Sequence, residues 1–192
     1  SNFMKKSILL LIFFLNCLMG RTQENPEILQ IRENFQIWQP IIESELNGST
    51  QLFHYAWGES YQEDEWYTNE QASEGKFLFQ KVRLIEKSNL GTFVYYDNYS
   101  MSGDWYIAVD YYFDTNDKLY FVYWRMNTYQ ADEPLTIEKR LYFNSEGELI
   151  RNLKSTYKMN TKDGSTAGFA DRDIEYELQL NKMDFYGKWN EE

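Results

Sequence analysis

Cysteine and histidine are almost missing from this chain, which contains one of each, Cys17 and His54. Zinc sites take three or four cysteine, histidine or carboxylate ligands, and a cysteine nucleophile needs a histidine beside it in the fold. The phosphate-binding loop, the dinucleotide fingerprint, the G-x-S-x-G motif and the His-Glu-x-x-His motif are also absent from the sequence. We therefore predict no metal site, no cofactor and no catalytic residue that a motif would identify.

Positive charge is scarce as well. The chain has 19 lysine and arginine residues against 30 aspartate and glutamate residues, and its formal net charge is −11. Nucleic acids and anionic lipids bind clustered lysine and arginine, so this balance argues against both as partners. It permits a protein or glycan partner, and an inhibitor of a basic extracellular enzyme is one concrete form of that hypothesis.

Only one long hydrophobic run is present, at residues 7–19. It follows Lys5 and Lys6 and precedes the small residue Gly20, which is the layout of a secretory signal peptide. The run is too short for a typical membrane span. We expect residues 1–20 to be a signal peptide, with no membrane insertion after its cleavage.

Export would leave residues 21–192 as a single α+β domain in the periplasm or outside the cell. Its net charge would be −13 and it would contain no cysteine, so its core alone would stabilise it. Residues 1–3 precede the first methionine and are left out of the fold prediction. An uncleaved anchor is one alternative; lipidation of Cys17 is another, less favoured because Asn16 is bulky at a position that is normally small.

Aromatic residues, by contrast, are abundant, with 35 in the chain. In residues 109–124, two runs of aromatic and β-branched residues flank a short polar loop, a pattern typical of a β-hairpin. The sequence Tyr-Phe-Asp-Thr-Asn-Asp-Lys-Leu at 112–119 returns 30 residues later as Tyr-Phe-Asn-Ser-Glu-Gly-Glu-Leu. Asp117 and Gly147 occupy the loop position that takes a positive φ. The repeat predicts two hairpins with the same turn.

A helix is predicted before these hairpins. Asn25 can cap it, Pro26 suits its first turn, and Pro40 is expected to kink or interrupt it near its end. Apolar residues follow at spacings of three and four, as on one face of a helix. These residues are Ile28, Ile31, Phe35, Trp38 and Ile42.

Consecutive strand patterns fill the rest of the chain. The predicted fold class is α+β, with the N-terminal helix packed on one face of an antiparallel β-meander of six to seven strands. An acidic, aromatic-anchored loop is expected within 51–75, after a strand at 51–57. For residues 173–181 both helix and strand fit, and strict alternation favours a strand. The remaining strands are predicted at 76–86, 92–98, 104–113, 118–127, 136–143 and 148–158.

Alternation assigns the side chains of this sheet to two faces. The core face, under the helix, is predicted to hold Trp105, Ile107, Val109, Tyr111, Phe113, Leu119, Phe121, Tyr123, Leu141, Phe143, Leu149 and Leu153. The opposite face is predicted to be rich in tyrosine, tryptophan and polar groups, which suits binding of a protein or glycan. Its candidate binding residues are Tyr106, Tyr112, Tyr120, Trp124 and Tyr142. The alternative is that the 51–75 segment or the C-terminal strand covers this face.

The two hairpin motifs carry a resemblance. Tyr-Phe-Asp-x-x-Asp-Lys-Leu-Tyr-Phe and, further on, Arg-Leu-Tyr-Phe-Asn-x-x-Gly-Glu-Leu-Ile-Arg make residues 25–155 similar to small exported proteins of Gram-negative bacteria. Those proteins have Tyr-Tyr-Phe-Asp-Asn-Gly-Lys-Leu hairpins behind an N-terminal helix and are largely uncharacterised. The resemblance implies a location and an architecture, and it transfers no active residue.

Two functional hypotheses follow. The first is an exported, non-catalytic binding module that uses the aromatic sheet face. The second is a small enzyme with a cavity between helix and sheet, in which His54 or a buried Asp110 acts as an acid or base.

Overall fold

The computed structural model describes residues 24–56, 66–68, 77–170 and 172–190. The predicted signal peptide, Cys17, and the acidic stretches at 57–65 and 69–76 lie outside these residues. The helices are α1 (Pro26–Glu45) and α2 (Tyr186–Trp189), and two 3₁₀ turns lie at Leu46–Gly48 and Leu180–Lys182. The strands are β1 (Gln51–Ala56), β2 (Trp66–Thr68), β3 (Phe77–Lys87), β4 (Gly91–Tyr99), β5 (Trp105–Phe113), β6 (Leu119–Thr128), β7 (Leu135–Phe143) and β8 (Leu149–Lys158).

The strands form one antiparallel sheet in the order β2-β1-β3-β4-β5-β6-β7-β8. From β3 onward each strand pairs with the next one in the chain, so short connections suffice. The predicted α+β fold, a helix on an antiparallel meander, is confirmed. The sheet has eight strands because the three-residue strand β2 also pairs with β1. In the described part of the chain, no helix is long and apolar enough to cross a membrane.

Helix α1 has the start and the buried stripe that the sequence predicts. The Asn25 side chain accepts a hydrogen bond from the Glu27 backbone N–H at 2.9 Å. Pro40 does not end the helix, which continues to Glu45. The apolar stripe packs on the sheet and forms what we call the helix-side core. Its buried members are Ile28, Ile31, Trp38, Ile85, Phe93, Tyr112, Phe121 and Tyr142, with Phe35 and Ile42 packed against them.

The two repeated loops share one geometry. The Asp117 N–H donates to the Asp114 carbonyl at 3.0 Å, and the Gly147 N–H donates to the Asn144 carbonyl at 3.0 Å. Asp117 has a φ of 60° and Gly147 a φ of 84°. The prediction of positive φ at these two positions is confirmed.

Each of these loops is followed by an extra residue, which the sequence pattern did not reveal. Phe113 pairs with Leu119, whereas Tyr112 pairs with Phe121, so Tyr120 is the additional residue of a bulge. The second hairpin repeats this shift between Tyr142 and Phe143 of β7. Because side chains alternate, a bulge of one residue moves the side chains that follow it in the same strand to the face opposite to the predicted one.

The predicted division of faces is wrong in two respects. The helix packs on the face opposite to the predicted one, since Val109, Tyr111 and Phe113 belong to the other side of the sheet and Tyr112 lies under α1. The bulges also separate residues that the prediction placed together. Phe121 and Tyr123 lie on the same side as Tyr112, while Trp124 lies opposite Val109 on the other side. Leu153 pairs with Arg140 and belongs to the helix side.

A second core covers the other face of the sheet, so the domain has apolar layers on both sides. The covering chain is the segment 172–185, which we call the strap. The strap-side core contains Val82, Leu84, Val94, Tyr96, Val109, Tyr111, Phe113, Leu119, Val122, Trp124, Met126, Leu135, Ile137, Leu141 and Phe143 of the sheet, together with Leu180, Met183 and Phe185 of the strap. Burial of both faces explains why residues 108–113 are all buried.

The strap is not the strand that alternation favours for 173–181, and that prediction is wrong. It makes one isolated bridge, between Lys118 and Gln179. The Leu119 N–H donates to the Leu178 carbonyl at 3.1 Å, and the Leu180 N–H donates to the Asp117 carbonyl at 3.0 Å. The first hairpin loop therefore anchors the strap across the sheet.

Candidate ligand-binding cavity

A cavity of about 710 Å³ lies between the strap-side face of the sheet and the strap. We call it the strap cavity. Ligand sites in proteins are commonly concave, of about 300 to 1,000 Å³, and mostly apolar with a few polar groups. The sheet contributes Phe79, Gln80, Tyr96, Asn98, Trp105, Ile107, Val109, Tyr111 and Trp124; the strap contributes residues 172–177 and 182–184.

The floor of the cavity is aromatic and aliphatic because alternate residues of β4, β5 and β6 point toward it. Tyr96 pairs with Val109, and Val109 pairs with Trp124, so these three side chains lie side by side. Trp105 and Ile107 are only partly buried against the core. Apolar surface therefore remains available inside the cavity.

Three side chains of the sheet hold the strap in place over the floor. Tyr111 donates its hydroxyl to the Glu175 carbonyl at 2.8 Å, and Tyr96 donates to the Asp184 carboxylate at 2.5 Å. The buried ammonium of Lys139 donates to the Arg172 carbonyl at 2.5 Å. Burial raises the pKa of the Tyr96 and Tyr111 hydroxyls well above the usual value, so both remain protonated donors.

The rim is charged and carries more carboxylates than cations. Asp173, Glu175, Glu177 and Asp184 face two cations, Arg172 and Lys182. The Arg172 guanidinium carbon lies 4.9 Å from the centre of the Trp105 ring. The cavity thus combines an apolar floor with a polar opening.

His54 lies on the strap side, on β1, where it pairs with Trp66 of β2 and with Gln80 of β3. Its ring contacts those of Trp66 and Phe79, and its Nδ1 is 3.3 Å from the Gln80 side-chain oxygen. The Gln80 amide in turn donates to the Asn98 side-chain oxygen at 2.7 Å. His54 therefore orients a pair of amide side chains that line the cavity.

The five predicted binding residues do not form one face. Tyr112 and Tyr142 are fully or nearly buried in the helix-side core, and Tyr120 is the bulge residue. Tyr106 is half-buried on the helix side, where its hydroxyl contacts Asp97. Trp124 alone among the five lines the strap cavity. The prediction that these five side chains share one face of the sheet is wrong, because the bulge places Trp124 on the opposite side from Tyr106, Tyr112 and Tyr142.

Asp110 lies on the helix side, where it pairs across the sheet with Tyr95 and Tyr123. The Arg125 guanidinium donates to its carboxylate at 2.6 Å. Burial raises the pKa of Asp110 to about 7, although the Arg125 charge opposes the shift. His54 and Asp110 are on opposite faces of the sheet, so they do not belong to one site.

In the described part of the chain, no three histidine, cysteine or carboxylate residues are placed to hold a metal ion.

Sequence reasoning missed most of the cavity. Tyr96 and Tyr111 alternate with residues of the other face and could have been placed by counting along β4 and β5. Apart from the 3₁₀ turn at Leu180–Lys182, the strap has no regular secondary structure, and the alternation of residues 173–181 favours a strand that does not form. Comparison of the chain with protein-family models, curated protein sequences and solved structures finds no match.

Proposed function

We propose that this chain is an exported, non-catalytic binding module that holds a small ligand in the strap cavity. The observation that supports it is the cavity of about 710 Å³ with an aromatic floor and a polar rim. Export is supported by the signal-peptide pattern of residues 1–20.

The cavity also sets the expected strength of binding. Drug-sized ligands gain about 0.3 kcal/mol for each non-hydrogen atom, so one of about 15 atoms would gain about 4 to 5 kcal/mol. That corresponds to a dissociation constant of about 1 mM or somewhat less for a ligand of that size, and of about 10 to 20 mM for benzyl alcohol, which has about half as many non-hydrogen atoms. A natural ligand that uses the rim would bind more tightly.

Amide chemical shifts measured by NMR during titration with benzyl alcohol test this proposal. We expect shifts to concentrate in β5 and the strap. Ile107→Trp places a larger side chain in the cavity and should reduce them by half or more. Ile37→Trp is the matched control, since Ile37 is 48% exposed on α1. Equal shifts in the Ile107→Trp variant, or shifts confined to the helix side, would contradict the proposal.

A small enzyme is the second candidate, and the buried Asp110 favours it. A carboxyl group with a pKa of about 7 can donate and accept a proton near neutral pH. Hydrolysis of a panel of nitrophenyl esters, phosphates and glycosides tests this alternative. Turnover that is lost in Asp110→Asn and persists in Asp104→Asn would support an enzyme. Absence of turnover with the whole panel would leave the binding module as the better proposal.

A further inference from the structure

We infer that the strap cavity selects an organic cation with an apolar body. The inference rests on the proposed function, and it adds the chemical class of the ligand. The juxtaposition that carries it is an aromatic floor beneath a rim whose described residues include four carboxylates and two cations.

The charged side chains of the rim differ in whether they already have a partner within the described chain. Asp173, Glu175 and Glu177 form no ion pair with another described residue, and all three are exposed. The Arg172 guanidinium already stacks on Trp105 and lies 3.5 Å from the Gln130 side-chain oxygen. A ligand entering the cavity therefore meets carboxylates that lack a cation of their own.

The floor already binds cations of the chain itself. Arg172 lies over Trp105 at 4.9 Å, and the Lys139 ammonium lies 5.4 Å from the centre of the Trp124 ring. An aromatic face attracts a cation through the negative potential above the ring, most strongly for tryptophan. Both tryptophan rings of the cavity thus show the interaction that a bound organic cation would make.

Arg172 should act as an internal competitor for Trp105. The strap is tethered through the backbone carbonyl of Arg172, which Lys139 contacts, so Arg172→Ala leaves this tether in place. Removal of the side chain frees one face of Trp105 and removes a positive charge from the rim. An external cation should then bind more tightly, whereas a neutral probe should change little.

The test compares benzyltrimethylammonium, benzyl alcohol and phenylacetate, which share a ring and differ in charge. Their dissociation constants are measured from the amide shifts of β5 and the strap, at low and at physiological salt. We expect the cation to bind about two- to fivefold more tightly than the alcohol, and phenylacetate to bind most weakly. The preference should shrink at higher salt, because the rim carboxylates are exposed.

Variants locate the source of this preference. The double change Glu175→Gln and Glu177→Gln should weaken cation binding about two- to fivefold and leave the alcohol unchanged. The matched control, Glu33→Gln with Glu43→Gln, removes the same charge from exposed positions on α1 and should have little effect. Arg172→Ala should strengthen cation binding.

The possible results distinguish a failure of the cation preference from a failure of the proposed function. Equal affinity for the three probes would overturn the cation preference while the cavity remains a binding site. Tightest binding of phenylacetate, weakened by Arg172→Ala, would instead assign an anion to Arg172 and Lys182. If none of the probes shifts the amides of β5 or the strap, both the inference and the proposed function are wrong.

Discussion

Tyr111 and Tyr112 are neighbours in the sequence and are both buried, yet their hydroxyl groups have different environments. Tyr111 points to the strap side and donates to the Glu175 carbonyl. The Tyr112 side chain lies under α1. Gln39 is nearby, but the Tyr112 hydroxyl has no partner in hydrogen-bond geometry. A buried hydrogen bond contributes about 1 kcal/mol, whereas a buried polar group without a partner destabilises the fold.

Removal of the two hydroxyls should therefore have opposite consequences. Tyr111→Phe should lower the free energy of unfolding by about 1 kcal/mol or more, because the Glu175 carbonyl loses its donor. Tyr112→Phe should be neutral or slightly stabilising. Urea unfolding of both variants measures the difference, and a larger loss in Tyr112→Phe would contradict the account.

Asp110 should give stability a particular dependence on pH. The unfolded chain loses this proton near the ordinary value of 3.8, whereas burial raises the pKa of Asp110 in the folded chain to about 7. Between about pH 4 and pH 7 the folded state therefore binds more protons, and the free energy of unfolding falls as pH rises. The full contribution is at most about 4 kcal/mol, and Asp110→Asn should abolish this decline.

Asp104 serves as a control, because its pKa is shifted in the opposite direction from that of Asp110. Hydrogen bonds from Ser100, Ser102 and Gln130 lower the pKa of Asp104 to about 2. Its contribution is present above about pH 4 and is lost as pH falls toward 2, so Asp104→Asn should change only the acid limb. Unfolding curves from pH 3 to pH 8 distinguish the variants. A decline between pH 4 and pH 7 that persists in Asp110→Asn would show that another group causes it.

At the scale of elements, tight turns and one irregular segment determine how the layers meet. The turn between β3 and β4 brings Gly91 against the end of β5, and the strap inserts Phe185 into the strap-side core. Gly91 is the first residue of β4, and Phe185 lies outside the strands. Each depends on the size of a single side chain.

Gly91 and Gly103 both have a positive φ, of 102° and 73°, but only Gly91 is crowded. A Cβ at Gly91 would lie 2.1 Å from the Phe113 carbonyl oxygen, whereas a Cβ at Gly103 would meet nothing within 4 Å. Gly103→Ala should therefore cost about 1 kcal/mol for backbone strain alone. Gly91→Ala should cost about 3 kcal/mol or more, measured by thermal or urea unfolding. Similar losses in the two variants would contradict the close approach of β5.

Phe185 fixes the end of the strap. Its side chain is fully buried and packs against the rings of Trp66, Tyr96 and Trp189. Phe185→Ala should lower the free energy of unfolding by about 3 to 5 kcal/mol. Leu178→Ala removes a strap side chain that is 41% exposed and should cost about 1 kcal/mol or less. Comparable losses would mean that the strap packs differently from the structure.

At the scale of the whole molecule, the sequence predicts the strands better than the side of the sheet that each residue faces. Strand ends, the α1 stripe and the positive φ of Asp117 and Gly147 follow from local patterns. The bulge at Tyr120 is not visible in an alternating aromatic run, and it reverses the face of Trp124. The strap is held by tertiary contacts such as that of Tyr111 with Glu175, which no local pattern specifies.

The candidate site was therefore predictable only in part. Trp124, a predicted binding residue, lines the strap cavity, whereas Tyr112 and Tyr142 of the same predicted set pack under α1. Burial on both faces also removes the open aromatic platform that the sequence suggested. What remains is a cavity whose floor comes from the sheet and whose rim comes from the strap.

Intermolecular NOEs between benzyl alcohol and the methyl groups of the chain test that cavity most directly. We expect NOEs to Ile107 and Val109, whose side chains line the strap cavity. NOEs only to Ile28 and Ile31 of the helix-side core, or no NOE to any methyl group under conditions where the probe binds, would contradict it.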